Sequence, residues 1–464
     1  MSRPVVFISR VPLAAALLAA MAAPALAADV AAPDAVLERL EQLEKRLQAL
    51  ESENKTLQQQ LEFRTERLER VENRAARNAL PGVAPTYSDV PGTSTFKLRG
   101  VLQGDIVGFS ADEGGYDYNS GTALRRARLG AEGDFARDFK WRLESDFAGN
   151  VVGITDAYVA FAGVKPWTFT VGQHKAPFGL ESNTSDNYNT FLERGMFTNA
   201  FGGPGAERRI GVSAQYSTDT LNIGVGAFGD NESQQRTATA PDESVGVNGR
   251  VTWSPLFEPG HLLHLGLSGY WRTELSSGGF ADAVRFSDRP NIRVDGGFLA
   301  DTGLIRQAEA LRYLGVEAAY VRGPFSVIGE AGRASVDRKG ALDTLDFDGY
   351  YVYGSWFLTG ESRAFRNGSI DRLRPARDFD WKKGTWGALE LALRWDSFDF
   401  SETPVIGARG NEGDSATLAL NWYLNANLKV LFNYIHFGGE FTPLDPVGDR
   451  TRGDAFATRI HLDW

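Results

Sequence analysis

Four cations stand at spacings that could handle an anion. Arg126 and Arg128 are two residues apart, Arg142 lies in the next periodic segment, and Lys175 precedes a long stretch rich in Gly, Asn and Thr. In an extended chain, residues two apart project to one side. A row of guanidiniums so placed can replace the hydration of a phosphate-like oxyanion with bidentate hydrogen bonds, while a lysine acts as a point charge. Carboxylates share that phase: Glu132, Asp134, Glu144, Asp146 and Asp156 fall on the same side as Arg126, Arg128 and Arg142. The arginines can therefore pair with their neighbours instead. A second basic group (Arg366, Arg372, Arg374, Arg377, Lys382 and Lys383) sits in one long segment between strands.

Other chemistries have less to work with. The five histidines are His174, His261, His264, His436 and His461, and none lies in a Gly-x-Ser-x-Gly setting. His261 and His264 are close in sequence but have no evident third metal ligand. With no cysteine, neither a thiolate zinc site nor a disulfide scaffold is available. The chain reads as a non-enzyme with no cofactor and no metal. A formal net charge of −10 argues against nucleic acid as a partner. Any attraction for anions must come from local arrangement. At 42% hydrophobic, the 464 residues are too apolar for wholesale disorder.

The elements that must position these residues change character along the chain. Residues 1–27 have a basic start (Arg3, Arg10), an apolar stretch and a small-x-small site at Ala25–Ala27, the pattern of a signal peptide. Residues 29–78 carry an a/d seam through Leu40, Leu43, Leu47, Leu50, Asn54, Leu57, Leu61, Arg64 and Leu68, which predicts an α-helical coiled coil. Such a seam implies self-association. Residues 79–95, with three prolines and two glycines, read as a linker.

From Phe96 the period becomes two. Leu263, Leu265, Leu267, Gly269 and Trp271 oppose His264, Ser268, Tyr270 and Arg272, and Leu389, Leu391, Leu393 and Trp395 oppose Glu390, Arg394 and Asp396. The polar faces carry full charges and aromatics recur at strand ends, as in a barrel with lipid outside and water inside. The last residues, Phe456, Thr458, Ile460, Leu462 and Trp464, alternate with polar ones and end on an aromatic. Residues 96–464 are thus predicted to form an all-β transmembrane barrel of about 16 antiparallel strands, with eighteen the nearest competitor. The span Pro177–Arg209 is too long for a turn and is expected to fold inward and narrow the lumen.

The stretches Arg125–Gly133, Val171–Glu181, Trp356–Arg363, Trp386–Arg394 and Leu420–Leu428, followed by Asn433 and Tyr434, resemble the porin O and P family of phosphate- and pyrophosphate-selective outer-membrane porins. The resemblance implies a homotrimer in the outer membrane of a Gram-negative bacterium. It also implies passive diffusion of small anions along an arginine ladder and past a lysine-bearing constriction. On that reading Arg126, Arg128, Arg142 and Lys175 are the anion-pathway residues, although a cluster of three constriction lysines has no match here. A nonselective or cation-preferring general porin remains open, as does a tether in which the periplasmic coiled coil reaches peptidoglycan or a periplasmic partner. Membrane lipid and lipopolysaccharide are the expected surroundings, and the second basic group is either a solvated surface or a contact for lipopolysaccharide phosphates.

Overall fold

The computed structural model describes residues 38, 41–58, 60–61, 86–89, 92–113, 116–230, 242–405, 410–440 and 450–464. The expected signal peptide lies outside the described residues, as do parts of the expected coiled coil and linker. Within the former, residues 41–58 form a helix, α1, whose seam residues Leu43, Leu47, Leu50 and Leu57 are all exposed.

The remaining chain is built on sixteen long strands. The first eight are β1 (Thr95–Glu113), β2 (Gly121–Phe135), β3 (Phe139–Asp146), β4 (Gly153–Phe161), β5 (Trp167–Lys175), β6 (Arg208–Ser217), β7 (Leu221–Phe228) and β8 (Val245–Glu258). Then follow β9 (His261–Thr273), β10 (Ala308–Arg322), β11 (Phe325–Arg338), β12 (Leu345–Phe357), β13 (Ala388–Asp399), β14 (Glu412–Tyr423), β15 (Leu428–Glu440) and β16 (Arg450–Asp463). Each pairs antiparallel with its sequence neighbour, and β16 pairs with β1 from Val101↔Asp463 onward, closing the barrel. Closure removes the sheet edges, so every strand N–H and C=O can be satisfied inside a bilayer. The short strand Thr86–Ser88 adds to the start of β1.

The faces are inverted relative to a water-soluble protein. On β9, Leu265, Leu267 and Trp271 are exposed while Ser268, Tyr270 and Arg272 are buried inside. The same holds along β16, where Phe456 and Ile460 point out and Arg459, His461 and Asp463 point in. Apolar outward and polar inward is the arrangement that lipid outside the wall requires. No helix among the described residues is long and apolar enough to cross a membrane.

The two ends differ. Turns between β2 and β3, β4 and β5, β6 and β7, β8 and β9, β10 and β11, and β14 and β15 are two to five residues long, and both barrel termini lie at that end. This is the periplasmic end of such a barrel, and long loops mark the other. The exception is the connection 358–387, long but at the short-turn end.

Three segments fold into the lumen: 176–207 and 274–307 from the long-loop end, and part of 358–387 from the other. Phe201, Phe286, Phe347 and Phe400 meet inside the wall with contacting ring centroids 5.3–6.0 Å apart and almost no exposure. The barrel therefore holds a packed apolar core on one side of its interior.

At the closing seam Trp464 N–H donates to Gly100 O (3.1 Å) and Gly100 N–H to Trp464 O (3.2 Å), and the Trp464 indole occupies the space a Cβ at Gly100 would need. Forcing a side chain there should cost about 1–3 kcal/mol. Gly100→Leu is expected to lower the temperature at which the folded band is lost on SDS gels. An unchanged transition would show that the seam closes without the indole in place.

Candidate functional site

The inward segment 176–207 leaves β5 at Lys175 and contains α2 (Leu180–Asn183) and α3 (Met196–Gly205). Gly179, in the left-handed region at φ 44°, makes the turn into α2 against the Glu330 carboxylate, where a larger residue would be both strained and crowded. Once inside the barrel, the segment's backbone groups need partners, and the wall provides them. Glu330 of β11 accepts from the N–H groups of Leu180 (2.9 Å) and Glu181 (2.6 Å). Asp396 of β13 accepts from Met196 and Phe197 at the start of α3, filling N–H groups that a helix start leaves without an intrahelical partner.

Carbonyls are met by cations and amides. Arg394 donates to Glu193 O (3.0 Å), Asn421 to Thr190 O (2.7 Å), Lys429 to Asn189 O (3.0 Å) and Arg459 to Leu192 O. Tyr270 donates to Phe201 O at 2.8 Å. These partners come from β9, β11 and β13–β16. Most of the segment's backbone bonds thus come from one half of the barrel, while the more open side, the inner face of β1–β6, meets it through Lys175, Arg125 and Arg128.

That open side carries a ladder of alternating charges. Arg99 reaches Glu132 (2.6 Å) and Glu144 (2.7 Å), and Arg142 reaches Glu132 (2.6 Å) and Asp156 (3.5 Å). Arg208 reaches Asp156 (2.9 Å), and Arg128 reaches Asp146 (2.9 Å) and Asp186 of the inward segment (2.8 Å). Of the four sequence-predicted residues, Arg126, Arg128 and Lys175 line one cavity of about 610 Å³ beside the inward segment. Arg142 does not line that cavity and stands in the ladder with Glu132 and Asp156.

Strict alternation misses Arg125. The pairing steps from Gln103↔Arg126 to Gly104↔Leu124, so Arg125 is the extra residue of a bulge and turns inward beside Arg126. It grips Glu193 through two bonds of 2.7 and 2.9 Å. The adjacent pair Arg125-Arg126 after outward Leu124 is the only sign of this in the sequence. Arg194, Arg208, Arg289 and Arg293 also line the cavity. Three of them, Arg194, Arg289 and Arg293, come from loops, which no strand period reveals.

The lining holds eight cationic side chains and four carboxylates (Asp146, Asp186, Glu193 and Glu207), although the whole chain is acidic. Two of the cations lack a carboxylate partner among the described residues. Lys175 Nζ donates to Ser182 O (2.7 Å) and Thr184 O (2.9 Å). Arg289 stacks over Phe298 at 5.3 Å and its Nε has no hydrogen-bond acceptor. Two carboxylates of the inward segment, Asp186 and Glu193, are strongly held as anions. Burial would raise Asp186, but Arg126, Arg194 and Arg128 outweigh it and keep it well below the usual carboxylate range. Glu193 is likewise lowered, with Arg125 and Arg459 outweighing burial.

No group among the described residues could hold a metal ion. His264, inside the wall, is bonded to Glu317 (2.7 Å), which Arg250 also binds (2.5 Å), while His261 lies against Tyr320 (3.5 Å).

Arg459 ties the segment to the wall through Asp105 (2.7 Å) and Glu193 (2.7 Å). Arg459→Ala leaves both carboxylates buried without it, a loss of about 3–5 kcal/mol. Noisy openings of larger conductance are expected in planar bilayers, and a wild-type trace would show that the other bonds suffice. Carboxylates with lowered values give stability that is fully present above their unfolded values and is lost as pH falls through the folded ones. Conductance is therefore expected to hold from about pH 7 to about pH 4 and to rise only below that, checked by acid titration of single channels.

The sequence profile of the phosphate-selective porin O and P family matches residues 96–464. Porin O of Pseudomonas aeruginosa is 27% identical over 403 residues, 79% of this chain and 87% of that protein. An uncharacterised protein of Caulobacter vibrioides is 32% identical over 406 residues, 83% of this chain and 79% of the other. Among solved structures the fold is similar to the in-vitro folded outer-membrane protein OmpT of Vibrio cholerae (TM-score 0.51, 13% identity, 82% of this chain and 99% of that one). It is also similar to an anion-selective porin from Comamonas acidovorans (TM-score 0.51, 14% identity, 80% and 100%). A closed sixteen-strand barrel with an inward loop, matched over its whole length by that profile, identifies this chain as an outer-membrane porin of the porin O and P family.

Proposed function

We propose that the pore passes small anions, with phosphate-like oxyanions preferred. The observation that carries this is the cavity beside the inward segment, whose cations outnumber carboxylates eight to four and include two, Lys175 and Arg289, free of carboxylate partners. An ion arriving there finds donors not already neutralised, and Arg126, Arg128 and Arg125 add guanidiniums that can share their bonds with it. Arg142 serves lower in the ladder. The relative named Porin O and the anion-selective structural neighbour lend support.

The paired ladder favours a second reading. Arg99, Arg142 and Arg208 are matched closely by Glu132, Glu144 and Asp156, and such rows make a transverse field that orders water without preferring a sign.

We further infer a homotrimer. The adjacent strands β3–β7 are only eight to ten residues long, and their outer face carries an apolar hollow lined by Val159, Val171, Val212, Val225 and Ala227, suited to a second copy. The exposed seam of α1 would be covered in the same assembly, in the periplasm.

The deciding measurement is the reversal potential across a KCl gradient, followed by phosphate titration. Chloride preference and block by low phosphate are expected. Removing one unpaired cation from a wet lumen should cost about 1 kcal/mol, so Lys175→Gln should lower the anion-to-cation permeability ratio about fivefold. Cation preference, or indifference to phosphate, would establish the transverse-field porin instead. A barrel without conductance would turn attention to the tether.

A further inference from the structure

The connection 358–387 does two things in succession. Its first half enters the lumen: Arg363 is buried against Ser326, Ser355 and Glu390, Arg372 pairs with Asp463, and Ile370 N–H reaches Thr184 Oγ1 (3.3 Å). Its second half crosses the rim. Phe379 N–H donates to Leu424 O (2.6 Å) in the β14–β15 turn. The chain then returns on the outside, where Phe379, Trp386 and Trp422 form an aromatic cluster with centroids 5.3–6.4 Å apart. Trp422 Nε1 fixes this return by donating to Trp386 O (2.6 Å). Trp422 continues the outward row of Leu418 and Leu420, which are exposed to lipid.

Beyond that cluster a tight hairpin projects. Asp380 and Thr385 exchange backbone bonds of 3.0 and 3.1 Å, and Gly384 turns the chain at φ 67°. The Asp380 carboxylate is occupied by the N–H groups of Lys382 (3.0 Å) and Lys383 (3.3 Å) and by Lys383 Nζ (3.0 Å). In the hairpin Trp381 is 75% exposed, with Lys382 Nζ 5.7 Å from its ring, and Trp386 at the base is 66% exposed. Arg374 and Arg377 are exposed nearby.

We propose that this hairpin is a binding site for the head group of an anionic phospholipid in the periplasmic leaflet. The reasons are position and charge. The aromatic cluster is continuous with the lipid-facing row, so the hairpin lies at bilayer edge depth, where indoles settle with one face apolar and one wet. Lys382 and Lys383 in the hairpin and exposed Arg374 and Arg377 just before it stand against Asp378, the already engaged Asp380 and Glu361, which accepts from Ala376 N–H (3.1 Å). Basic side chains beside a membrane surface attract anionic head groups, and interfacial indoles hold the acyl boundary. The site is at the end that carries the barrel termini, so these exposed cations face the leaflet opposite the long loops. That placement disagrees with a lipopolysaccharide contact for this group.

The test uses the full-length protein in vesicles of phosphatidylcholine carrying brominated phosphatidylglycerol or brominated phosphatidylcholine. Trp381→Phe, compared with wild type, isolates the signal of this indole. Quenching of Trp381 by the brominated anionic lipid is expected to exceed that by the zwitterionic one. In Lys382→Gln/Lys383→Gln the preference should fall about tenfold, with conductance unchanged as the check on folding. Equal quenching by both lipids, or a preference that survives loss of both lysines, would overturn the proposal. So would Trp381 that escapes both quenchers while the protein sediments with purified peptidoglycan.

Discussion

A chain folded into the lumen of a barrel takes its peptide groups away from bulk water, and each then needs a partner. That requirement organises this molecule. The wall strands place Glu330, Asp396, Arg394, Lys429 and Arg459 where the inward segment presents bare N–H or C=O groups. These charged residues are inward-facing and buried, which a hydrophobic core would not tolerate singly; here each is bonded to backbone. The segment's shape therefore belongs to the wall as much as to its own sequence.

From this follows the asymmetry of the pore. Because most of the backbone partners come from β9, β11 and β13–β16, the segment and the aromatic core of Phe201, Phe286, Phe347 and Phe400 crowd that side. The remaining space lies against the face of β1–β6, where Arg125, Arg142 and Glu132 are partly exposed and Arg126, Glu144 and Asp156 are buried. The cations of that face are thus consumed to different degrees: Arg142 by two carboxylates, Lys175 only by carbonyls. Two residues that sequence places in one class are separated by geometry into one neutralised by carboxylates and one that is not.

The strand faces were readable because a period of two survives wherever one side meets lipid. Arg126, Arg128 and Arg142 are turned inward as their phase requires, and the segment after Lys175 enters the lumen. What escaped is instructive. Arg125 depends on one extra residue in β2, which shifts phase without changing composition. Arg289 and Arg293 lie in a segment without regular period, so their approach to the cavity is fixed by tertiary contacts: packing of Ile292 and Leu299 inside the wall, the Arg293–Asp288 pair (2.6 Å) and the stacking of Arg289 on Phe298. The division of the second basic group was equally hidden. Arg372 is drawn in by Asp463 from the opposite end of the chain, whereas Lys382 and Lys383 are carried out by an aromatic contact with Trp422.

The anchoring bonds also set an order of assembly. Leu180 waits for Glu330, 150 residues later; Met196 for Asp396, 200 later; and Leu192 for Arg459, 267 later. Contacts so distant in sequence form only after the intervening chain has been placed. The narrowing of this pore is therefore a late event in its own biogenesis: the wall must be nearly complete before the segment has anything to hold. Until the last strands arrive the segment lacks those anchors, so the constriction is tied in place only as the barrel closes.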